Sequence, residues 1–332
     1  MLNDLKNMWK ARTWMKTNVP FLYSWHAYVG FDLDLFEAFK RPVRVSDVAD
    51  AYDLEPMLLE QWVEVGISLK HLKRDSKDRI QIARSWKLPG SRKDSPSSGD
   101  LLKEMMELHI PSLLTYPELM KEKKRNHFDS EEHGSTVART STLLELLAFH
   151  LIDRNVKKHK VKSVLDIGCG EAGYLIKLAK KHPELDLIGV EINEEVAEAA
   201  KKAAQAFEKI EIVHSDMNDY EPKDPVDYVM INNLLHYVDP DDRYEFFKRL
   251  YELMAEKGVA TIISPLQKAK HGKQFSSAFN SFFLTFDNLY PIPSEDELRD
   301  ITEQIGFTME KPTAIIREGG WFILKLQKNP AN

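Results

Sequence analysis

The residues of this chain whose types and spacing can do chemistry begin with paired glycines after an apolar run. In Val164-Leu-Asp-Ile-Gly-Cys-Gly-Glu-Ala172, followed by Gly173, hydrophobic residues give way abruptly to closely spaced glycines. This is the pattern of a strand feeding a nucleotide-binding turn. Without β-carbons at Gly168 and Gly170, backbone N–H groups can close on a ligand, and the turn opens onto a helix starting near Tyr174. Asp166 precedes the glycines, and Leu187-Ile-Gly-Val-Glu191 reads as a second apolar strand ending in a carboxylate. In dinucleotide-type folds an acid roughly 20 residues downstream of the glycines grips a ribose. Nicotinamide enzymes share the Gly-x-Gly-x-x-Gly spelling, so Gly173 keeps that cofactor open as an alternative.

Two further strand-like runs end in polar residues. Ile210-Glu-Ile-Val-His-Ser-Asp216 is followed by Met217, and Val226-Asp-Tyr-Val-Met-Ile-Asn232 is followed by Asn-Leu-Leu-His236. Taken in order over residues 142–328, these elements resemble the class I S-adenosylmethionine-dependent methyltransferases. The resemblance implies a Rossmann-like, seven-stranded α/β sheet and S-adenosylmethionine as cofactor. It also implies that the Asp216 carboxylate takes the adenine amino group, that the Met217 backbone N–H meets the ring, and that Asn232 opens the loop facing the methyl group. A doubly wound sheet places its ligand beyond the carboxyl ends of its strands, so Asp166, Gly168, Gly170, Glu191, Asp216, Met217 and Asn232 can all touch one cofactor.

Methyl transfer is a direct displacement that needs alignment and, for a hydroxyl acceptor, removal of a proton. Among the 11 histidines, His236 is the candidate general base. It occupies the position of the catalytic histidine in the His-Asp-Trp-x-Asp segment of plant-type O-methyltransferases, which this sequence resembles, although Tyr237-Val238 replaces the Asp-Trp pair. The alternative is a packing histidine. Glu295 lies where those enzymes supply an acid to orient the ring, but Ser294 before several acids is also a helix N-cap signature. Strand five, Gly258 to Ser264, lacks the acid common after it in that family.

Phe275, Phe279, Phe282, Phe283, Phe286 and Tyr290 are spaced to draw one apolar helical face. Such a face is commonly core. The related enzymes place helices over the acceptor here, so Phe279, Phe283 and Phe286 are candidates for an apolar acceptor pocket. Asn232-Asn-Leu-Leu is not the Asn/Asp-Pro-Pro-Tyr signature of base and amide methylation.

Around this site the chain has 332 residues, 43% hydrophobic and 30% charged, with net charge −6, which suits a two-domain globular protein. That charge argues against a dominant nucleic-acid surface. The single cysteine, Cys169, permits no intrachain disulfide, cysteine-based metal site or three-cysteine radical cluster, and disfavours arsenic methylation, so no metal is expected. No apolar run suits a membrane span, and Asp4 among polar residues is unlike a secretory signal, so a cytoplasmic protein is expected.

Trp9, Trp14 and Trp25 are half of the six tryptophans and lie near Phe21, Tyr23, Tyr28 and Phe31, a density that requires cover. Leu33–Phe39, a helix capped by Ser46, and a helix from Pro56 to Gly66 precede two short strands within Leu72–Ile82. Three helices and a ribbon make a winged helix. The candidate recognition helix carries Glu55, Glu60 and Glu64 and no Lys or Arg, which repels phosphates. Lys73, Arg74, Lys77 and Arg79 in the wing alternate with Asp75 and Asp78. In the small-molecule O-methyltransferases that the chain resembles, such a domain dimerises and its opening helices can line the partner's acceptor pocket. The expected division is a helical winged-helix dimerisation domain over 1–100, connecting helices over 101–141 and a catalytic domain over 142–332. A loop spans Leu88–Asp100, Lys121–Arg125 reads as an exposed helix end, and Leu143–Asn155 as a helix beside the first catalytic strand. Gly306-Phe-Thr and Trp321–Leu326 are expected to close the sheet as an antiparallel pair.

The expected function is therefore O-methylation of a small, fairly apolar metabolite by a homodimer. Two alternatives remain: C- or N-methylation without base catalysis, and a winged-helix DNA-binding regulator with a nucleotide-sensing domain.

Overall fold

The structure, a computed structural model, describes residues 2–83, 88–94 and 97–330. Ser95 and Pro96 of the expected loop lie outside the described residues. The chain divides into two compact units, Met1–Pro111 with His133–Leu143, and Ser112–Glu132 with Leu144–Asn332. Among the described residues no helix is long and apolar enough to cross a membrane.

The first unit opens on a single helix, Leu2–Asp32. Its apolar residues point all round the helix instead of forming one stripe, so the chain does not cover them itself. Trp9 is 62% and Trp14 66% exposed. Only the later part packs down, with Phe31 buried against Gly99. The core below gathers Phe36, Phe39, Val48, Leu59, Trp62, Val63, Leu72 and Ile80. Helix Val45–Tyr52 has Arg44 as its N-cap, two residues earlier than the Ser46 cap expected, and Ser46 instead contacts Asp47. Helix Pro56–Ser68 begins on proline at its first turn, where the missing N–H is harmless, and the Glu55 carboxylate caps Leu58 N–H at 2.6 Å. Strands β1 (Leu72–Arg74) and β2 (Ile80–Ile82) pair antiparallel as the ribbon. Arg74 in that ribbon is bound by Glu60, Glu64 and Asp78, so its charge is met within the unit. The expected loop is shorter than its composition suggested: helix Ser98–Glu104 starts on a Ser97/Asp100 capping box.

The second unit is built on one sheet. Strands β3 (Ser163–Ile167), β4 (Asp186–Glu191), β5 (Ile210–His214), β6 (Val226–Asn232) and β7 (Met254–Pro265) run parallel. Strands β8 (Phe307–Met309) and β10 (Trp321–Lys328) complete the order β5-β4-β3-β6-β7-β10-β8, while short β9 (Thr313–Ile316) pairs only with β10. The antiparallel closure falls where the sequence placed it, with Leu326 opposite Met309 and Lys328 opposite Phe307. Strand β3 is apolar but for Ser163 and the buried Asp166 because both faces are covered. One face packs helices Gly173–Lys181 and Glu194–Ala204 through Leu175, Leu178, Ala197 and Ala200, the other packs helix Arg243–Leu253 through Phe247 and Leu250. Chain order reverses between β3 and β6, which opens the crevice at their carboxyl ends.

Candidate functional site

The turn after β3 is shaped by left-handed backbone at Gly168 (φ 68°), Gly170 (φ 53°) and Ala172 (φ 63°). Gly168 and Cys169 donate their N–H groups to Val190 O at 2.8 and 3.2 Å, which locks the turn onto β4. A β-carbon on Gly168 would meet Leu234, whereas one on Gly170 would meet nothing within 4 Å. Gly170 thus faces open space, as a backbone that must accept a ligand should.

Glu191 ends β4 directly beside that turn. Its carboxylate accepts N–H from Gly170 at 3.1 Å and from Asn193 at 3.0 Å, so the acid is fixed before any ligand arrives. Asp166 is 1% exposed and accepts a 3.1 Å hydrogen bond from Asn232 Nδ2. Burial, then the nearby Glu145 carboxylate, pushes the Asp166 carboxyl well above the usual range, against the pull of Asn232. Asn232 Oδ1 is buried without a hydrogen-bond partner, an acceptor left open at the crevice. Asp216 sits in the turn after β5, where its carboxylate accepts Asn218 N–H at 2.7 Å. The Met217 side chain is buried in the core and its carbonyl accepts from Arg249, so only backbone at this position is available to a ligand.

His236 occupies the short turn Leu235–Tyr237 after β6. Its ring stacks on Phe283 (centroids 4.3 Å, planes 15° apart) and lies 4.3 Å from the Tyr237 ring. Burial, then the Arg243 guanidinium, drives the imidazole down to about 3. Among the described residues no carboxylate is hydrogen-bonded to it. Glu295 pairs with Arg299 at 2.9 Å. Ser294 caps helix Glu295–Ile305 in a reciprocal box with Glu297, whose side chain also reaches Arg243. The capping reading of this segment is the observed one.

The aromatic segment does not form one continuous helical face. Helix Lys273–Phe283 ends there, and Thr285 and Asp287 exchange backbone hydrogen bonds with Asn126 at 2.8 and 2.7 Å, which draws Phe286 away from helical geometry. Phe286 meets Phe128 and Phe282 edge-on. Phe279 and Phe283 lie 4.5 Å apart, and Phe279 is 5.1 Å from Trp321. Trp321 was unremarkable in sequence, a residue of the closing strand. It is placed by Nε1 donating to Asn233 Oδ1 at 3.1 Å, and Asn233 itself bends the post-β6 loop with φ 53°. His236, Phe283, Phe279 and Trp321 therefore form a linked row of rings after the ends of β6 and before β10. Among the described residues no cluster of three or more metal-ligating side chains occurs.

Residues 164–258 match the family described as a methyltransferase domain. Carboxy-S-adenosyl-L-methionine synthase of Nautilia profundicola is 31% identical over 97 residues, 29% of this chain and 41% of that protein. Trans-aconitate 2-methyltransferase of an Enterobacter species is 29% identical over 127 residues, 38% of this chain and 46% of that protein. The chain thus spans about half, or less, of the length of these curated relatives. Among solved structures, an O-methyltransferase family protein from Burkholderia thailandensis superposes with TM-score 0.74 at 16% identity, over 97% of this chain and 99% of that one. Human N-acetylserotonin methyltransferase in complex with S-adenosylmethionine gives 0.72 at 15% identity, over 96% and 98%. The segment 164–258 is thus similar to a methyltransferase domain, and the chain has the fold of these solved structures, one of which holds S-adenosylmethionine.

The residues present fit that cofactor. The open space at Gly170, the fixed carboxylate of Glu191 and the unpartnered acceptor of Asn232 offer a nucleoside with an adjoining cationic group room to approach the backbone, an acceptor for ribose hydroxyls and a polar contact.

Proposed function

We propose that this protein is an enzyme that transfers the methyl group of S-adenosylmethionine to an oxygen of a small, fairly apolar metabolite. The observation that carries the acceptor reading is the row of rings formed by His236, Phe283, Phe279 and Trp321. It follows the same strand end that presents Asn232, and no charged side chain belongs to it. Bound S-adenosylmethionine supplies an activated methyl on a cationic sulfur. The chain's part is to hold it and to align the acceptor. In this reading Glu191 takes the ribose hydroxyls, Asp216 and the Met217 backbone take the adenine, Gly168 and Gly170 let the loop close, and Asp166 and Asn232 face the aminoacyl end. Phe279 and Phe283 wall the acceptor, and Phe286 supports them through Phe282.

His236 stands nearest the acceptor side as a hydrogen-bonding group. A second reading, C- or N-methylation with His236 only packing, is favoured by the stacked ring and by the lack of an acid on it. Turnover by His236→Ala with saturating cofactor separates the two: a large loss supports the ring's contact with an acceptor oxygen, and an undiminished rate supports the second.

The exposed aromatic helix Leu2–Asp32 supports a homodimer, with residues 1–100 as dimerisation domain, 101–141 as connecting helices and 142–332 as catalytic domain. Light scattering of the purified chain tests the assembly. A screen of metabolite extract for incorporation of labelled methyl, read by mass spectrometry, tests the activity and names the acceptor.

A further inference from the structure

Arg243 is 1% exposed, yet its guanidinium carries a full charge into the base of the His236 turn. One terminal nitrogen donates to the carbonyls of Leu235 (3.2 Å) and Pro291, and the other reaches Glu297. The residue before His236, the loop before helix Glu295–Ile305 and that helix's first turn are therefore gathered on one cation. Glu297 is shared with the Ser294 cap, so the acid facing Arg243 is already engaged. Against the His236 turn also lie Phe283 on one side of the ring, Tyr237 on the other, and Tyr290, whose N–H donates to the His236 carbonyl at 2.9 Å. Glu295, the remaining acid of that helix start besides Asp296, points its carboxylate to Arg299. An imidazolium here would be buried between two rings beside a guanidinium, and among the described residues no carboxylate is hydrogen-bonded to it, so the ring is poorly suited to hold a proton taken from an acceptor.

We propose that the site takes acceptors whose oxygen arrives already ionised, carboxylic acids and strongly acidified enols or phenols, with the neutral His236 ring donating a hydrogen bond to that oxyanion instead of removing a proton. The proposal rests on the methyl-transfer reading above and names its substrate class. A lone pair of the acceptor oxyanion forms the C–O bond, the S–CH3 bond breaks, and its electron pair stays on sulfur. No proton moves, so none has to be stored. Arg243 is a positioning residue in this scheme: it fixes the turn and helps burial keep the ring neutral. Burial and the guanidinium both push the imidazole in that direction.

Two measurements test it. Histidine NMR of the whole protein, with the His236 signal assigned by its loss in His236→Gln, should show no titration of that ring between pH 5 and 8. Arg243→Lys, which keeps the charge, should behave the same way, and so should Arg243→Met, because the larger cause, burial of the ring, stays in place. Should Arg243→Met fail to fold, the wild-type and Arg243→Lys spectra still decide, and a His236 midpoint between 6 and 7 in the wild type overturns the proposal. Labelled S-adenosylmethionine offered with benzoate- and cinnamate-type acids beside the matching phenols should mark the acids at least tenfold faster, with kcat flat from pH 6 to 9. Preference for the phenols, with kcat rising through a break near 6 to 7, overturns it. Calorimetry with S-adenosylmethionine alone tests the underlying methyl-transfer reading separately, since donor binding does not depend on the state of His236.

Discussion

The carboxylate of Glu145 lies where a β-carbon on Gly173 would have to go. The third glycine of the Gly-x-Gly-x-x-Gly spelling is therefore explained by a neighbouring side chain, not by a second phosphate group. Glu145 pairs with Lys177 at 2.8 Å one turn further along the helix that Gly173 begins. Burial raises its carboxyl despite that lysine.

Gly173→Ala should therefore overpack this contact and lower stability by about 1–3 kcal/mol. Gly170→Ala should lose roughly 1–2 kcal/mol through its left-handed backbone alone, because space is open on the folded side, but it should weaken donor binding more than Gly173→Ala does. Urea midpoints and calorimetric titration with S-adenosylmethionine separate the two effects. Equal donor affinity in both variants would remove Gly170 from the binding surface.

Glu191→Ala deletes a carboxylate that organises two backbone N–H groups and is proposed to hold the ribose. Charged hydrogen bonds are each worth roughly 1.5–3 kcal/mol, so donor affinity should fall by at least about tenfold. Titration with S-adenosylhomocysteine, which has the same sugar, should show the same loss.

Trp321→Phe keeps a ring on the acceptor wall but removes the bond to Asn233. Acceptor KM should rise several-fold while donor affinity stays at the wild-type level. A change confined to donor binding would place Trp321 on the other side of the reaction.

In the first unit His26 is fully buried, stacked on Trp62 (4.2 Å, 5°), and its Nδ1 lies 2.9 Å from Nδ1 of His71. Burial, then His71, lowers its pKa to about 3 from 6.5. A depressed histidine stabilises fully above the unfolded value and loses that contribution as pH falls from about 6.5 through about 3. The unit's unfolding free energy should accordingly decline on acidification over this window, and His26→Phe should flatten the decline. Unfolding curves collected at pH 7, 5.5 and 4 check this, and a wild-type curve independent of pH refutes it.

Much of the catalytic sheet was legible because its physics is local. Val164–Ile167 is apolar but for Asp166 and buried at every position since both faces are covered, and the carboxylates near strand ends announce themselves by interrupting such runs. The closing strand was readable for the same reason, since Phe322 to Leu326 are buried at every position. The site's other half was not. Arg243 sits after Pro240-Asp-Asp and reads as the start of a solvated helix, because Leu235, Pro291 and Glu297 become its partners only through tertiary folding. Trp321 gains its place from Asn233, equally remote in sequence. The aromatic run from Phe275 kept helical spacing past Phe283, where pairing with Asn126 overrode it. Helix Leu2–Asp32 escaped notice as one element because its apolar residues mark no single face.

Strand β10 stands between β7 and β8, and β9 also leans on it alone. During synthesis on the ribosome, β3 to β7 can zip together while residues 321–328 are still being added. Until they emerge, β8 and β9 have no neighbour to join and Asn233 has no indole to hold. A nascent or C-terminally clipped chain would thus own a nearly finished nucleoside crevice beside an unbuilt acceptor wall, able to grip its donor before it can use it.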